Sequence, residues 1–186
     1  MTCRLVAEGK FDAQLLQRIL DANQVRGFSV SAAGGKSTAA SFAMSVLASR
    51  REPVALVLDA DTSDQRAVEE QERIYYDLLH SVSRTTPFKI FSAVPALEVV
   101  LFSDREILSK IVGVAVSDLQ ARDAEDRPKQ VLNALLKQAG AQDNPIALLQ
   151  KIDGEAGRRL AKHPLLKSLI SFVKKPASWT PEGLAA

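Results

Sequence analysis

The chain is poor in the residues that staple or metallate small domains. It holds one cysteine, Cys3, so no internal disulfide can form. Its histidines are His80 and His163, and with a single thiol they argue against a Cys/His zinc site. No apolar run approaches the roughly 18 residues that a spanning helix needs, so no membrane association is expected. The N-terminus enters a strand pattern directly and lacks the plan of a signal peptide. A reducing, cytoplasmic setting is the expectation. Net charge is +2, so any nucleic-acid surface has to be local. No internal repeat or low-complexity block is visible. What remains is 46% apolar and 25% charged over 186 residues. That suffices for one domain with a sizeable core, or a domain with an appendage.

Two short apolar runs end abruptly in carboxylates. Leu5-Val6-Ala7 leads into Glu8-Gly9 and, shortly after, Asp12; Val54-Ala55-Leu56-Val57-Leu58 leads into Asp59-Ala60-Asp61. A helical pattern follows each, through Leu15, Leu16, Ile19 and Leu20 in the first case and Ile74, Tyr75, Leu78 and Leu79 in the second. Residues 27–31 read as another strand, stopped by Gly34-Gly35, and 37–49 as a helix with Phe42, Val46 and Leu47 on one face. Residues 88–91 read as a fourth strand. This alternation predicts an α/β fold, a mostly parallel four-stranded sheet flanked by helices. Right-handed crossovers would leave the acid-bearing strand ends on one rim. After Pro95 the pattern is helical, over 96–102, 106–112, 128–138, 145–152 and 165–173, with no convincing strand. The organisation predicted is a core over 1–95, a helical extension over 96–175 packed on it, and a mobile tail over 176–186 that holds Trp179.

In an open parallel sheet, ligands sit beyond the carboxyl ends of the strands. Neighbouring strands ending in Glu8 and in Asp59 and Asp61 would aim three acids into one crevice. Acids so close repel one another unless a divalent cation joins them, and hard oxygen ligands suit magnesium or manganese. Plainer readings stand beside this one: Glu8-Gly9 as a charged surface turn, Asp12 as a helix cap, and Asp59-Ala60-Asp61 as a polar loop opening the next helix. Gly9 would let the chain turn sharply and approach a phosphate. Glu98 lies among Val94, Leu97, Val99 and Val100, where a buried carboxylate with a cation partner competes with an exposed first-turn acid.

Gly34-Gly35-Lys36-Ser37-Thr38 is similar to a phosphate loop. The glycine that pattern requires five residues before Gly35 is Val30 here, which argues against a Walker-type NTPase. A helix start with two glycines and a lysine could still hold one phosphate group; a tight turn is the alternative. Arg158, Arg159, Lys162, Lys167, Lys174 and Lys175 form a basic series with no acid between Glu155 and Glu182. It is either a solvated helix face or a patch that tracks a nucleic-acid backbone. Asp59-Ala60-Asp61 is also similar to the aspartyl phosphatases of the haloacid dehalogenase type and to the DxD of glycosyltransferases. The former wants threonine or valine where Ser63 stands.

The succession Val6-Ala7-Glu8-Gly9-Lys10-Phe11-Asp12, Gly34-Gly35-Lys36, then Leu56-Val57-Leu58-Asp59-Ala60-Asp61 resembles a TOPRIM domain over roughly the first 95 residues. Together with Pro95 to Glu98 it is most similar to the OLD-type nucleases and small stand-alone relatives in anti-phage defence. The resemblance implies that Glu8, Asp59 and Asp61 bind one or two Mg2+ or Mn2+ ions, with Asp12 and Glu98 completing a second position. It also implies a separate ATPase subunit as partner, since OLD nucleases carry an ATPase on the same chain. Thr62-Ser63-Asp64 departs from the glycine that often follows this DxD in topoisomerases and maturases. A topoisomerase would need a separate tyrosine-bearing domain and a primase its companion domains, so neither is the expected function.

The expected function is metal-dependent hydrolysis of phosphodiester bonds in DNA, with RNA as the second substrate class. Glu8, Asp59, Asp61 and Lys36 would be catalytic. Gly9, Gly34, Gly35, Lys36, Lys129, Arg158, Arg159 and Lys162 would meet phosphate or nucleic acid, Lys129 or Lys36 neutralising transition-state charge. The rivals are a catalytically inactive TOPRIM scaffold or sensor and a nucleotide phosphohydrolase. A homo-oligomer is left open.

Overall fold

A strand whose successive residues enter two apolar cores needs helices on both sides, and this chain supplies them. The computed structural model describes residues 2–83, 85–140 and 144–175. The strands are β1 (Cys3–Ala7), β2 (Phe28–Ala32), β3 (Val54–Asp59) and β4 (Phe88–Ala93). Between them run α1 (Lys10–Ala22), α2 (Lys36–Ser49) and α3 (Gln65–Val82). Seven further helices follow among the described residues: α4 (Val99–Phe102), α5 (Arg105–Val112), α6 (Asp118–Asp126), α7 (Pro128–Gln138), α8 (Pro145–Leu149), α9 (Gly154–Leu160) and α10 (Pro164–Lys174).

All pairings are parallel, in the order β2-β1-β3-β4. The chain leaves β1 to one side and returns past it to β3, so strand order reverses between β1 and β3. Ligand crevices form at such reversals. Ala7 is level with Val57, which places Glu8 just beyond the end of β1 and Asp59 at the last position of the adjacent β3.

Period-two alternation assigns each face its helices. Leu5, Ala7, Ala55, Val57 and Phe91 enter one core with Leu15, Leu16 and Ile19 of α1 and with residues of α4 to α10. Val6, Leu56 and Leu58 enter the other with Ala43 and Leu47 of α2 and Leu79 of α3. Leu5, Leu15, Leu16 and Leu56 are wholly buried, each such side chain contributing about 1.5–3 kcal/mol. Helix α10 lies on β4, with Phe172 edge-on to Phe91 at a ring separation of 6.0 Å. The first, larger core therefore joins the sheet to the helices after residue 95.

Two helices escape the sequence periodicity. Helix α6 buries Ala124 alone and shows no apolar stripe, but Ser117 and Gln120 cap it reciprocally. That S-x-x-Q spacing was its legible signal. Helix α9 opens at Gly154, a residue that ordinarily disfavours a helix, with Asp153 Oδ1 accepting from the Ala156 amide at 2.8 Å. The expected tail, with Trp179, falls outside the described residues. No helix among the described residues is long and apolar enough to cross a membrane.

Candidate functional site

The carboxyl rim of β1, β3 and β4 gathers acids from separate parts of the chain. Asp59, the last residue of β3, is buried, and both its oxygens are engaged. The Leu97 amide donates to Oδ1 at 2.8 Å, and Lys129 Nζ donates to Oδ2 at 2.6 Å. The loop beyond Asp59 is tied to the loop beyond β4. Ala60 N–H donates to the Ala93 carbonyl and Asp61 N–H to the Pro95 carbonyl, each at 2.8 Å. Asp61 turns through the left-handed region at φ 56°, which aspartate tolerates better than most residues. That turn lets its carboxylate meet Lys36 Nζ at 2.6 Å and Lys129 Nζ at 4.0 Å.

Across the reversal, Gly9 starts α1 and Asp12 folds back on it, Oδ2 accepting the Gly9 amide at 2.8 Å. The helix-cap reading of Asp12 is thus observed. A Cβ on Gly9 would lie 3.0 Å from that same oxygen, so glycine is favoured here by close approach rather than by φ. Gly34 and Gly35 adopt φ values of 86° and 143°, which glycine accepts freely. Their amides donate to the Glu8 carbonyl at 2.8 and 3.1 Å. In this structure the Gly-Gly pair therefore clamps its loop to the end of β1 and delivers Lys36, while these two N–H groups are already partnered.

Glu8, Asp12 and Glu98 all hold their protons more tightly than ordinary carboxylic acids. Burial raises Glu8, and the charge of Asp59 adds to it while Lys36 opposes. Burial and then Asp59 push Asp12 up to about 6. Glu98 is pushed up to about 7, by burial first and by Asp59 after the opposing bond from its own amide. Burial pulls Lys129 down, but the bond to Asp59 and the charges of Asp59, Glu98 and Asp61 leave it raised overall. Carboxylates and ammonium groups are thus arranged as one coupled set.

Among the described residues no three acid, histidine or cysteine side chains close on one point as metal ligands. Lys36 and Lys129 stand between the acids instead. Even so, Glu8 Oε2 and Glu98 Oε2 are buried without a hydrogen-bond partner. Buried polar atoms seldom stay unpaired, and a buried unpaired carboxylate is costlier still. Two orphaned oxygens beside Asp59, all of them hard donors, fit a divalent cation of the magnesium or manganese type.

The structure thus brings together Glu8, Gly9, Asp12, Gly34, Gly35, Lys36, Asp59, Asp61, Glu98 and Lys129. It does not bring Arg158, Arg159 and Lys162 to them. Helix α9 packs on the far end of α1, where the Asn23 side chain donates to the Gly157 carbonyl at 3.1 Å. Asp12 and Ala22 are ten residues apart, or about 15 Å along the axis. Arg159 is engaged within the fold, donating to Asp104 at 2.7 and 2.9 Å and to Glu106 at 2.8 Å. Leu97 joins the site through its main-chain amide, which no side-chain pattern could have announced.

No protein-family model matches the chain, and no curated protein does. Among solved structures, the chain is similar to the C-terminal region of the Xanthomonas campestris pv. campestris OLD protein, at 13% identity and a TM-score of 0.48, over 91% of this chain and 96% of that one. It is also similar to the C-terminal region of the Burkholderia pseudomallei OLD protein, at 16% identity and a TM-score of 0.47, over 94% and 97%. At these scores the functional reading rests on the geometry of the acid rim.

Proposed function

We propose that this protein is a magnesium- or manganese-dependent nuclease that hydrolyses phosphodiester bonds, with DNA as its substrate. One observation carries the reading: carboxylates from the ends of β1 and β3 and from the turn after β4 line one rim beside the strand-order reversal, with Glu8 and Glu98 each keeping a buried, unpartnered oxygen. Glu8, Asp59 and Asp61 would hold the cation, with Asp12 and Glu98 serving a second position. When bound there, such an ion would supply Lewis-acid stabilisation of charge on the phosphoryl group.

The chain's own residues supply the rest. Glu8, held at an elevated pKa by burial and by Asp59, is suited to take a proton from the attacking water. Lys36, 2.6 Å from Asp61, and Lys129, 2.6 Å from Asp59, would offset negative charge that builds on the phosphate oxygens. The Leu97 amide fixes the orientation of Asp59. Gly34 and Gly35 hold Lys36 over the crevice by gripping the Glu8 carbonyl.

Supercoiled plasmid incubated with the protein and Mn2+ tests this directly. Nicking should occur, and should fall at least a hundredfold in Glu8→Ala and in Asp59→Ala; undiminished nicking in both would discard the site. A second reading is a scaffold whose acids are neutralised permanently by lysines. It is favoured by the short Lys129–Asp59 and Lys36–Asp61 pairs, and it expects neither cleavage nor Mn2+ binding.

A further inference from the structure

The geometry points to a nucleobase-binding subsite beside the acid rim, in a cleft of about 300 Å³ whose walls include Glu98 and Lys129. This inference rests on the nuclease reading above, since it concerns the nucleotide attached to the phosphate that is cut.

The cleft lies between the first turns of α1 and α7 and the start of α8. Phe11, Leu132 and Ile146 line it with apolar surface, and Asn133 and Asn144 bring carboxamides. Phe11 and Ile146 are half-buried and Leu132 is buried, whereas both asparagines are exposed. Asn144 Oδ1 accepts from the Ile146 amide at 3.1 Å, so its side chain is held by α8 with the amino group as its donor end.

A base has apolar faces and a polar edge. Its faces stack on aromatic or aliphatic surface, and its edge exchanges hydrogen bonds with carboxamides. The cleft offers both kinds of surface, and its volume is at the small end for ligand sites, which run from about 300 Å³ upward. That admits one base with its sugar. A duplex base would have to leave the stack to enter, so single-stranded or frayed DNA is the form that fits. Glu98 and Lys129 belong to both the cleft and the acid rim, so an occupant is connected to the phosphate chemistry by one nucleotide's reach. The exposed apolar groove between α2 and α3 is larger, but nothing in the structure selects its occupant.

The test compares binding of a fluorescein-labelled oligothymidylate with that of the same oligomer made abasic, in Ca2+ to limit cleavage. The full chain should bind the base-bearing strand about tenfold or more tightly. Ile146→Trp, which fills the cleft, and Asn133→Leu, which removes an exposed carboxamide without touching the core, should each reduce that ratio towards one. Equal affinity of the unaltered protein for both strands, or an unchanged ratio in Ile146→Trp, overturns the subsite. Thymidine monophosphate displacing the strand at the strand's own dissociation constant overturns the polynucleotide as the source of the base. The nuclease reading is judged separately, by plasmid nicking in Glu8→Ala, so the subsite can fail while that reading stands.

Discussion

Lys129 Nζ sits 2.6 Å from Asp59 Oδ2, joining two residues 70 positions apart in the chain. Asp59 is almost fully buried, whereas the Lys129 side chain is 47% exposed. The lysine therefore contributes its charge to the rim without being sealed into it, and a second cation could share or replace its task. Lys129→Ala should destabilise the metal-free protein by about 1–3 kcal/mol, less than a wholly buried pair because water screens the lysine. Mn2+ should then raise the melting temperature of the variant more than that of the parent. Equal shifts would mean that lysine and metal do not answer the same negative charge.

The acids at the rim also make stability depend on pH in an unusual direction. Asp12 and Glu98 have folded-state values raised to about 6 and about 7. A raised carboxyl pKa favours the fold while the group is protonated, and the benefit is lost as pH climbs through the raised value. Between pH 5 and 8 the metal-free protein should therefore lose stability, on the order of 3 kcal/mol for Glu98 alone. Denaturation at pH 5, 6.5 and 8 should show this slope flattened in Glu98→Gln. A parent slope of zero would show that these groups are not strained by burial.

Gly9→Ala places a methyl group 3.0 Å from Asp12 Oδ2. The carboxylate has to give way, and with it the bond to the Gly9 amide. We expect about 1 kcal/mol of stability lost with the cap, and nicking weakened at least tenfold at limiting Mn2+ but less at saturation. Nicking that is unaffected at every Mn2+ concentration would separate Asp12 from the metal.

Gly157 and Arg159 give the opposite expectation, since Gly157 packs on the far half of α1 and Arg159 is held by Asp104 and Glu106. Gly157→Ala would place its new Cβ 2.3 Å from the Ala22 Cβ, an overpacking that costs about 1–3 kcal/mol. Arg159→Ala should lower the denaturation midpoint by releasing Asp104 and Glu106, yet leave the salt dependence of DNA binding as it was. A flatter salt dependence in Arg159→Ala would return this arginine to the nucleic-acid surface.

The two basic residues at the rim and the three in and just after α9 show how far the residue pattern reaches. Lys36 follows Gly-Gly at a helix start and was legible there. Arg158, Arg159 and Lys162 formed an equally good run on paper, but charge runs carry no information about which helix end they will face. Helix α6 carries no apolar period because its sequence is polar nearly throughout, and its signal lies in a cap. Helix α9 is masked in the sequence by its two glycines, Gly154 and Gly157, and packs against α1.

The sequence alone determined the parallel sheet and the acids at its carboxyl rim, because continuous apolar runs buried on both faces stop abruptly at Glu8 and Asp59. Only the tertiary structure decided who their neighbours are. Lys129, the Leu97 amide and the cleft walls of α7 and α8 come from chain folded back over the rim. That placement depends on how the helices after residue 95 share a core with α1, which no local pattern encodes.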